Sequence, residues 1–292
     1  MQTSSHVAAA HGATEQEEAE ALAVLGPAVL MNGLIFAELW ASLGGSCRAD
    51  KRRLRLVCRG VRALANSAVT ALEMEGEDST QLSTALTLWP GTTCVTAPLT
   101  AACLSVLSAV LLPRLQKLRL RDAGEADSVT DLTLLECPQI SHLHIRFNSC
   151  LMDLEGLQAC GQNIVELDVR GAVSVSSLGP LSACVNLERL NIQRCHDVRS
   201  CEPLSACAKL KRLEMWQCTS LLSIQPLSAC TNLEYLEMVG TDLNVQPLLA
   251  CTQLEKLFID SRYRDTPELA ALQAALPRLQ IRFSIIEWTH LM

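Results

Sequence analysis

The sequence predicts an α/β solenoid, a right-handed horseshoe whose short parallel strands line the concave face, and three observations carry that prediction. One phrase returns four times, at residues 180–184, 203–207 and 226–230 as PLSAC and at 247–251 as PLLAC, with steps of 23, 23 and 21 residues between the prolines. Three residues after each cysteine a second pattern opens, Leu-x-x-Leu-x-(Leu/Ile/Met): Leu187, Leu190, Ile192; Leu210, Leu213, Met215; Leu233, Leu236, Met238; Leu254, Leu257, Ile259. Hydrophobic residues make up 49% of the chain and aromatics only 3%, so the core must be built in thin layers of Leu, Val, Ala and Cys. Units of this length each bury their apolar face only against their neighbours.

Three divisions follow along the chain. Residues 1–14 are small and polar without periodicity, as in a disordered tail. Residues 15–66 form a helical segment. Its apolar spacing over 15–43 is helical, with breaks at Gly26-Pro27 and Gly44-Gly45. Glu15, Glu17, Glu18 and Glu20 precede this apolar run, and Gly26, Pro27, Asn32, Gly33 and Glu38 interrupt it, against a signal peptide or a membrane anchor. Then Leu54, Leu56, Val57, Val61 and Leu64 alternate with Arg52, Arg53, Arg55, Arg59 and Arg62, the pattern of an amphipathic helix with a basic outer face. Such a helix can cover the open end of a repeat array, whose terminal layer otherwise meets water.

The solenoid and its C-terminal cap take residues 67–292. Val69, Leu72 and Met74 give a first strand, Cys94-Val95-Thr96 a second, and a helix is expected over 98–112, where no breaker occurs before Pro113. From Leu115 the register is legible, with first positions at Leu115, Ile140, Ile164, Leu187, Leu210, Leu233 and Leu254. The turn cysteines Cys137, Cys160, Cys184, Cys207, Cys230 and Cys251 run beside them. Residues 267–276 read as a closing helix, Leu276, Leu279 and Ile281 as a last strand, and 284–292 as an edge cover.

The repeat resembles the leucine-rich repeat, and its Pro-Leu phrase resembles the phosphatase-regulator and internalin-like class, with Cys in place of an inner Leu. In that family an Asn or Cys three residues past the last apolar strand position satisfies backbone groups of the turn, which implies this role for Asn148, Cys195 and Cys218. Ala123, Ala172, Thr241 and Arg262 depart from it. A second resemblance covers residues 25–64. The phrase at 54–64, LRLVCRGVRAL, is similar to the second half of an F-box, and Leu25, Pro27, Leu30, Ile35 and Leu39 fall in similar places of its first half. Gly26 and the longer link at 42–47 depart from the pattern. The resemblance implies that Leu30, Ile35, Leu54, Val57 and Val61 dock on the adaptor subunit of a cullin-based ubiquitin ligase; a plain cap is the competing reading.

Net charge is −7, against nucleic acid as the partner of the whole surface. Of the fourteen cysteines most recur at the repeat period and not in pairs, as buried reduced thiols of a cytoplasmic or nuclear protein. In x-Leu-x-Leu-x the x residues face solvent. On that rule the concave face carries Lys117, Arg119 and Arg121, then His142, His144 and Arg146, with Arg189, Arg212, Trp216, Tyr235 and Phe258 further along. Arginines beside aromatics are the anchor composition of protein-binding surfaces. His142 and His144 lie near Cys137 and Cys150 in sequence, but both cysteines have structural work in the turns, so no metal and no cofactor is expected. With no phosphate loop, no Cys-x-x-Cys and no isolated nucleophile, the expectation is a non-catalytic protein-interaction module, a monomer within a hetero-complex. Three roles stay open: substrate recognition for a ubiquitin ligase, a scaffold or regulatory subunit without one, or RNA or phosphopeptide binding through Lys117, Arg119, Arg121, Arg146 and Arg170.

Overall fold

The structure, a computed structural model, describes residues 70–74, 79–89, 91–109, 114–123, 129–135 and 137–284. The expected tail at 1–14, the helical segment 15–66 with Leu30, Ile35, Leu54, Val57 and Val61, and the cover over 285–292 lie outside the described residues.

Among the described residues ten strands stack in chain order into one all-parallel sheet. They are β1 (Ala71–Glu73), β2 (Cys94–Pro98), β3 (Lys117–Arg121), β4 (His142–Arg146), β5 (Glu166–Asp168), β6 (Arg189–Asn191), β7 (Arg212–Glu214), β8 (Tyr235–Glu237), β9 (Lys256–Asp260) and β10 (Gln280–Ser284). Each strand pairs with the next so that repeat leucines stand opposite one another, Leu118 with Leu143, Leu167 with Leu190, Leu213 with Leu236, and Leu236 with Leu257. Leu190, Leu213 and Leu236 are sealed from solvent, as the alternation requires.

The proline phrases form one-turn 3₁₀ helices at Gly179–Ala183, Glu202–Ala206, Gln225–Ala229 and Gln246–Ala250. Proline enters at the start, where its missing N–H is not needed. The following leucines (Leu181, Leu204, Leu227, Leu248) and cysteines (Cys184, Cys207, Cys230, Cys251) are fully buried. Ser182, Ser205 and Ser228 each donate a hydroxyl back to the first carbonyl of their own turn, at 2.7–2.8 Å. The return path is therefore satisfied internally.

The first repeats are longer than this. Helix α1 (Ser79–Leu88) has no counterpart in the sequence reading. Helix α2 (Ala101–Ala109) starts later than expected: Pro98 closes β2 opposite Arg121, and the Thr100 hydroxyl accepts the Cys103 N–H at 3.1 Å. A one-turn α3 (Leu157–Cys160) marks the change to the shorter unit. At the far end α4 (Pro267–Ala275) closes the array, with Thr266 accepting from Leu269. The last strand corrects the reading in register: Ile281 pairs with Leu257 and Phe283 with Ile259, two residues further along than the leucine spacing implied. A shift of two keeps the same face inward, so only the period was misread.

The chain leaves β4 to β8 through a left-handed residue that spacing alone did not reveal. Phe147 (φ 57°), Gly171 (φ 74°), Arg194 (φ 61°), Gln217 (φ 59°) and Gly240 (φ 78°) occupy equivalent places in five successive repeats. A Cβ there costs of order 1–2 kcal/mol. Substituting Gly240 by Ala is expected to destabilise by about 1 kcal/mol, because the added methyl meets only ordinary contacts at 3.4 Å. Gly171→Ala is expected to cost clearly more, since its Cβ would lie 2.6 Å from Cδ1 of Phe147. Urea midpoints of the two variants check the order, and equal losses would discount the Phe147 contact.

Candidate functional site

The outward side chains of the ten strands form three rows across the concave face. The row at the entry of the strands runs Lys117, His142, Glu166, Arg189, Arg212, Tyr235, Lys256. The middle row runs Arg119, His144, Asp168, Asn191, Glu214, Glu237, Phe258. The exit row begins with Arg121 and Arg146 and continues past the strand ends through Arg170, Gln193 and Trp216. Parallel strands place these residues about 4.8 Å apart along a row, so each interacts chiefly with its neighbour one repeat away.

The expectation that all of these face solvent needs correction at several positions. Asp168 is 4% exposed, and Asn191, Val239 and Asp260 are also buried. Neighbouring long side chains cover the short ones, and hydrogen bonds hold them. Asp168 accepts from Arg146 at 2.7 Å and from Arg170 at 2.8 Å. Burial alone would raise its carboxyl, but the two guanidiniums overrule it and hold the group below the usual carboxylate range. Glu214 accepts from Asn191 at 2.7 Å and Gln193 at 3.0 Å, and Gln193 also reaches Glu237 at 3.3 Å. Burial, and then the neighbouring Glu214, push the Glu237 carboxyl upward.

Trp216, Tyr235 and Phe258, expected together on the concave face, do not form a single cluster. Tyr235 and Phe258 lie with ring centroids 5.5 Å apart at 38°, whereas Trp216 stands in a different row. Each ring instead carries an arginine: Arg212 over Tyr235 at 3.8 Å, Arg194 over Trp216 at 5.0 Å, Arg282 over Phe258 at 5.4 Å. Arg212 also bridges to Glu214 at 2.6 Å, so its guanidinium is fixed from two sides. These arginine–ring contacts present amphipathic surface whose side chains have less rotamer freedom left to lose on binding. Beside them, at the strand entries, Glu188, Lys211, Glu234 and Glu255 help line a shallow groove of about 530 Å³. Arg189, one of the expected binding residues, lines it too and bridges to Glu166 at 3.3 Å.

His142 and His144 are both held neutral at pH 7, since burial pushes each imidazole below its ordinary value. His144 Nε2 lies 3.0 Å from Glu166 Oε1, and a carboxylate only accepts, so the hydrogen belongs on Nε2. His142 Nδ1 meets the Ser141 hydroxyl at 2.8 Å. Cys137 is buried on the other side of the chain and points its thiol at the Leu107 carbonyl. Among the described residues no group of three His, Cys, Asp or Glu side chains is placed to hold a metal ion. Nor is any helix among them long and apolar enough to cross a membrane.

Two structural ladders run between the repeats, and the sequence reading held only the part implied for Cys195 and Cys218. The buried thiols are not simply small hydrophobes: Cys207, Cys230 and Cys251 aim at the carbonyls of Leu181, Leu204 and Leu227, one repeat back, at 3.3–3.6 Å. Cys195 and Cys218 do the same to Val169 and Ile192 at 3.4 and 3.0 Å. Asn163, Asn186 and Asn232 each donate a side-chain amide to a carbonyl of the preceding repeat at 2.6–2.8 Å. An Asn directly before the first apolar position of the repeat (Ile164, Leu187, Leu233) was the available signal. Asn148 takes its expected turn role, accepting from Cys150 at 3.0 Å and Leu151 at 2.7 Å. In the last repeat Tyr263 replaces that device, its hydroxyl accepting the Leu243 N–H at 2.7 Å.

The architecture defines a leucine-rich-repeat solenoid, an open parallel sheet with short return helices. Solved structures of similar fold include internalin C2 from Listeria monocytogenes, 20% identical over 62% of this chain and 72% of that one, with a TM-score of 0.42. Another internalin of the same organism, InlF, is 16% identical over 78% and 81%, with a TM-score of 0.48. The TLR13–ssRNA13 complex is 16% identical over 73% of this chain and 29% of that one, with a TM-score of 0.42. No protein-family model matches the chain, and no curated protein matches it.

Proposed function

We propose that the chain is a non-catalytic protein-interaction module that captures its partner on the concave face. The observation that carries this reading is the set of three rings, Trp216, Tyr235 and Phe258, each stacked under an arginine on a face with room above it. Aromatic and arginine side chains in such pre-ordered pairs are the residues that dominate binding energies at protein interfaces. Changing Trp216 and Tyr235 together to Ala is expected to weaken partner binding by about tenfold or more, while the melting curve moves little. Titration of the purified partner against both forms checks this, and a melting curve that collapses would mean that the rings are packing residues.

The finer proposal is that this face selects substrates for a cullin-type ubiquitin ligase. It rests on the LRLVCRGVRAL phrase at 54–64, directly ahead of the repeats. Co-purification with the ligase adaptor tests it, through Leu54, Val57 and Val61. Failure to retain the adaptor, with partner capture intact, gives the scaffold or regulatory role instead.

A further inference from the structure

We infer that the β3–β4 end of the concave face receives an extended acidic segment of a partner protein, its carboxylates on Lys117, Arg119 and Arg121 and an apolar side chain on Phe147. This rests on the concave face being the binding face and names the chemistry that one end of it selects.

The charge pattern is the first ground. All three outward residues of β3 are cationic and exposed. None of their side chains makes an ion pair or hydrogen bond with any described residue, whereas Arg146, Arg170, Arg189 and Arg212 are all engaged by carboxylates. The adjacent Asp122 makes no ion pair with them; its Oδ1 accepts from the Asn148 side-chain amide at 3.1 Å. On the neighbouring strand His142 and His144 are neutral and Arg146 adds a further guanidinium in register with Arg121. Three like charges spaced by two strand residues, about 6.8 Å, repel one another in the free protein, and that repulsion is relieved by an anionic strand laid along them.

Phe147 is the second ground. It follows β4 directly, is 59% exposed, and sits in the left-handed backbone region at φ 57°. Bulky residues seldom occupy that region, and an aromatic ring held there in water is costly on two counts. It lies on the strand-exit side, the side of Arg121 and Arg146, so one ligand segment can meet both the charges and the ring.

The same map favours a protein segment over a nucleic acid. The uncompensated charge spans one strand, and beyond β4 the face turns to Glu166 and Asp168, then Glu214 and Glu237. A phosphate backbone continuing along the groove would run into those carboxylates. A short acidic stretch ends before them.

The probe is a fluorescein-labelled peptide of sequence DEELEED, titrated by anisotropy against the full chain. The unaltered chain is expected to bind it, with affinity falling about fivefold or more between 50 and 300 mM salt, as an electrostatic contact must. Arg119→Glu with Arg121→Glu is expected to weaken binding by about tenfold or more, and Phe147→Ser by about threefold, with circular dichroism unchanged. Equal affinity in the charge-reversed form overturns the inference. Tighter binding of a nine-nucleotide single-stranded RNA than of the peptide overturns the partner class. Glu15, Glu17, Glu18 and Glu20 form an acidic run within the chain itself. A gain in peptide affinity on changing those four to Gln would assign the patch to that run and overturn the partner assignment. If the Trp216 and Tyr235 changes still abolish partner capture while the peptide ignores Arg119 and Arg121, this inference falls and the interaction-module reading stands.

Discussion

Raising the pH from 7.5 to 10 in reducing buffer is expected to remove most of the stability of the solenoid. Burial pushes Cys184, Cys195, Cys201, Cys207 and Cys251 up to about 12, and Cys160 and Cys230 to about 11; Cys218 moves in the same direction. In the unfolded chain the same thiols ionise near 9. A group whose pKa is raised by folding binds its proton more tightly in the native state, so the unfolded state holds fewer protons at alkaline pH. The stabilisation is complete below about pH 9 and is lost progressively between about 9 and about 11 to 12. Each thiol contributes a slope of about 1.4 kcal/mol per pH unit in that window. Eight such groups sum to something on the order of 10 kcal/mol at pH 10, comparable with the whole stability of an ordinary domain. Urea titrations at pH 7.5, 9 and 10 test this, and Cys207→Ala should flatten the dependence by one proton. A midpoint that holds constant to pH 10 would mean that the thiolates form in place and that the cysteine layers are open to water.

Leucine spacing shows on which side of a strand the core lies, because alternation is a local property of the backbone, and it placed Leu190, Leu213 and Leu236 correctly. The proline-cysteine phrase placed the return turns for the same reason. What stayed hidden depends on the neighbouring repeat. Asp168 is buried because Arg146, on the strand before it, folds across to meet it. The left-handed exit was masked because Phe147, Arg194 and Gln217 occupy a position at which only Gly171 and Gly240 advertise the backbone. Trp216 fell in another row than Tyr235 because it lies past the end of β7, and so has a different lateral neighbour. Parity put the concave side chains on one side of the strands, while their burial and pairing needed the register.

Replacing Leu213 by Ala is expected to cost roughly 2–5 kcal/mol, the largest loss from any single truncation considered for this chain. Leu213 is fully buried at the middle of β7, in register with Leu190 on one side and Leu236 on the other. The leucine contributes its own transfer energy, and the cavity it leaves is bounded by two strands that cannot move inward without breaking their ladders. Met215 and Met238 line the same layer and can swing partway into the space, which favours the lower half of the range. Because a repeat array is held together by contacts between adjacent units, the defect acts on both interfaces of one repeat at once. Loss of cooperativity is therefore the second expected sign: the urea transition should broaden as the segments on either side of β7 begin to unfold separately. Trp216→Ala, three residues away on the outer surface, is the matched control. A control that loses as much as Leu213→Ala, with an equally broadened transition, would place the tryptophan inside the layer and reverse the assignment of faces along β7.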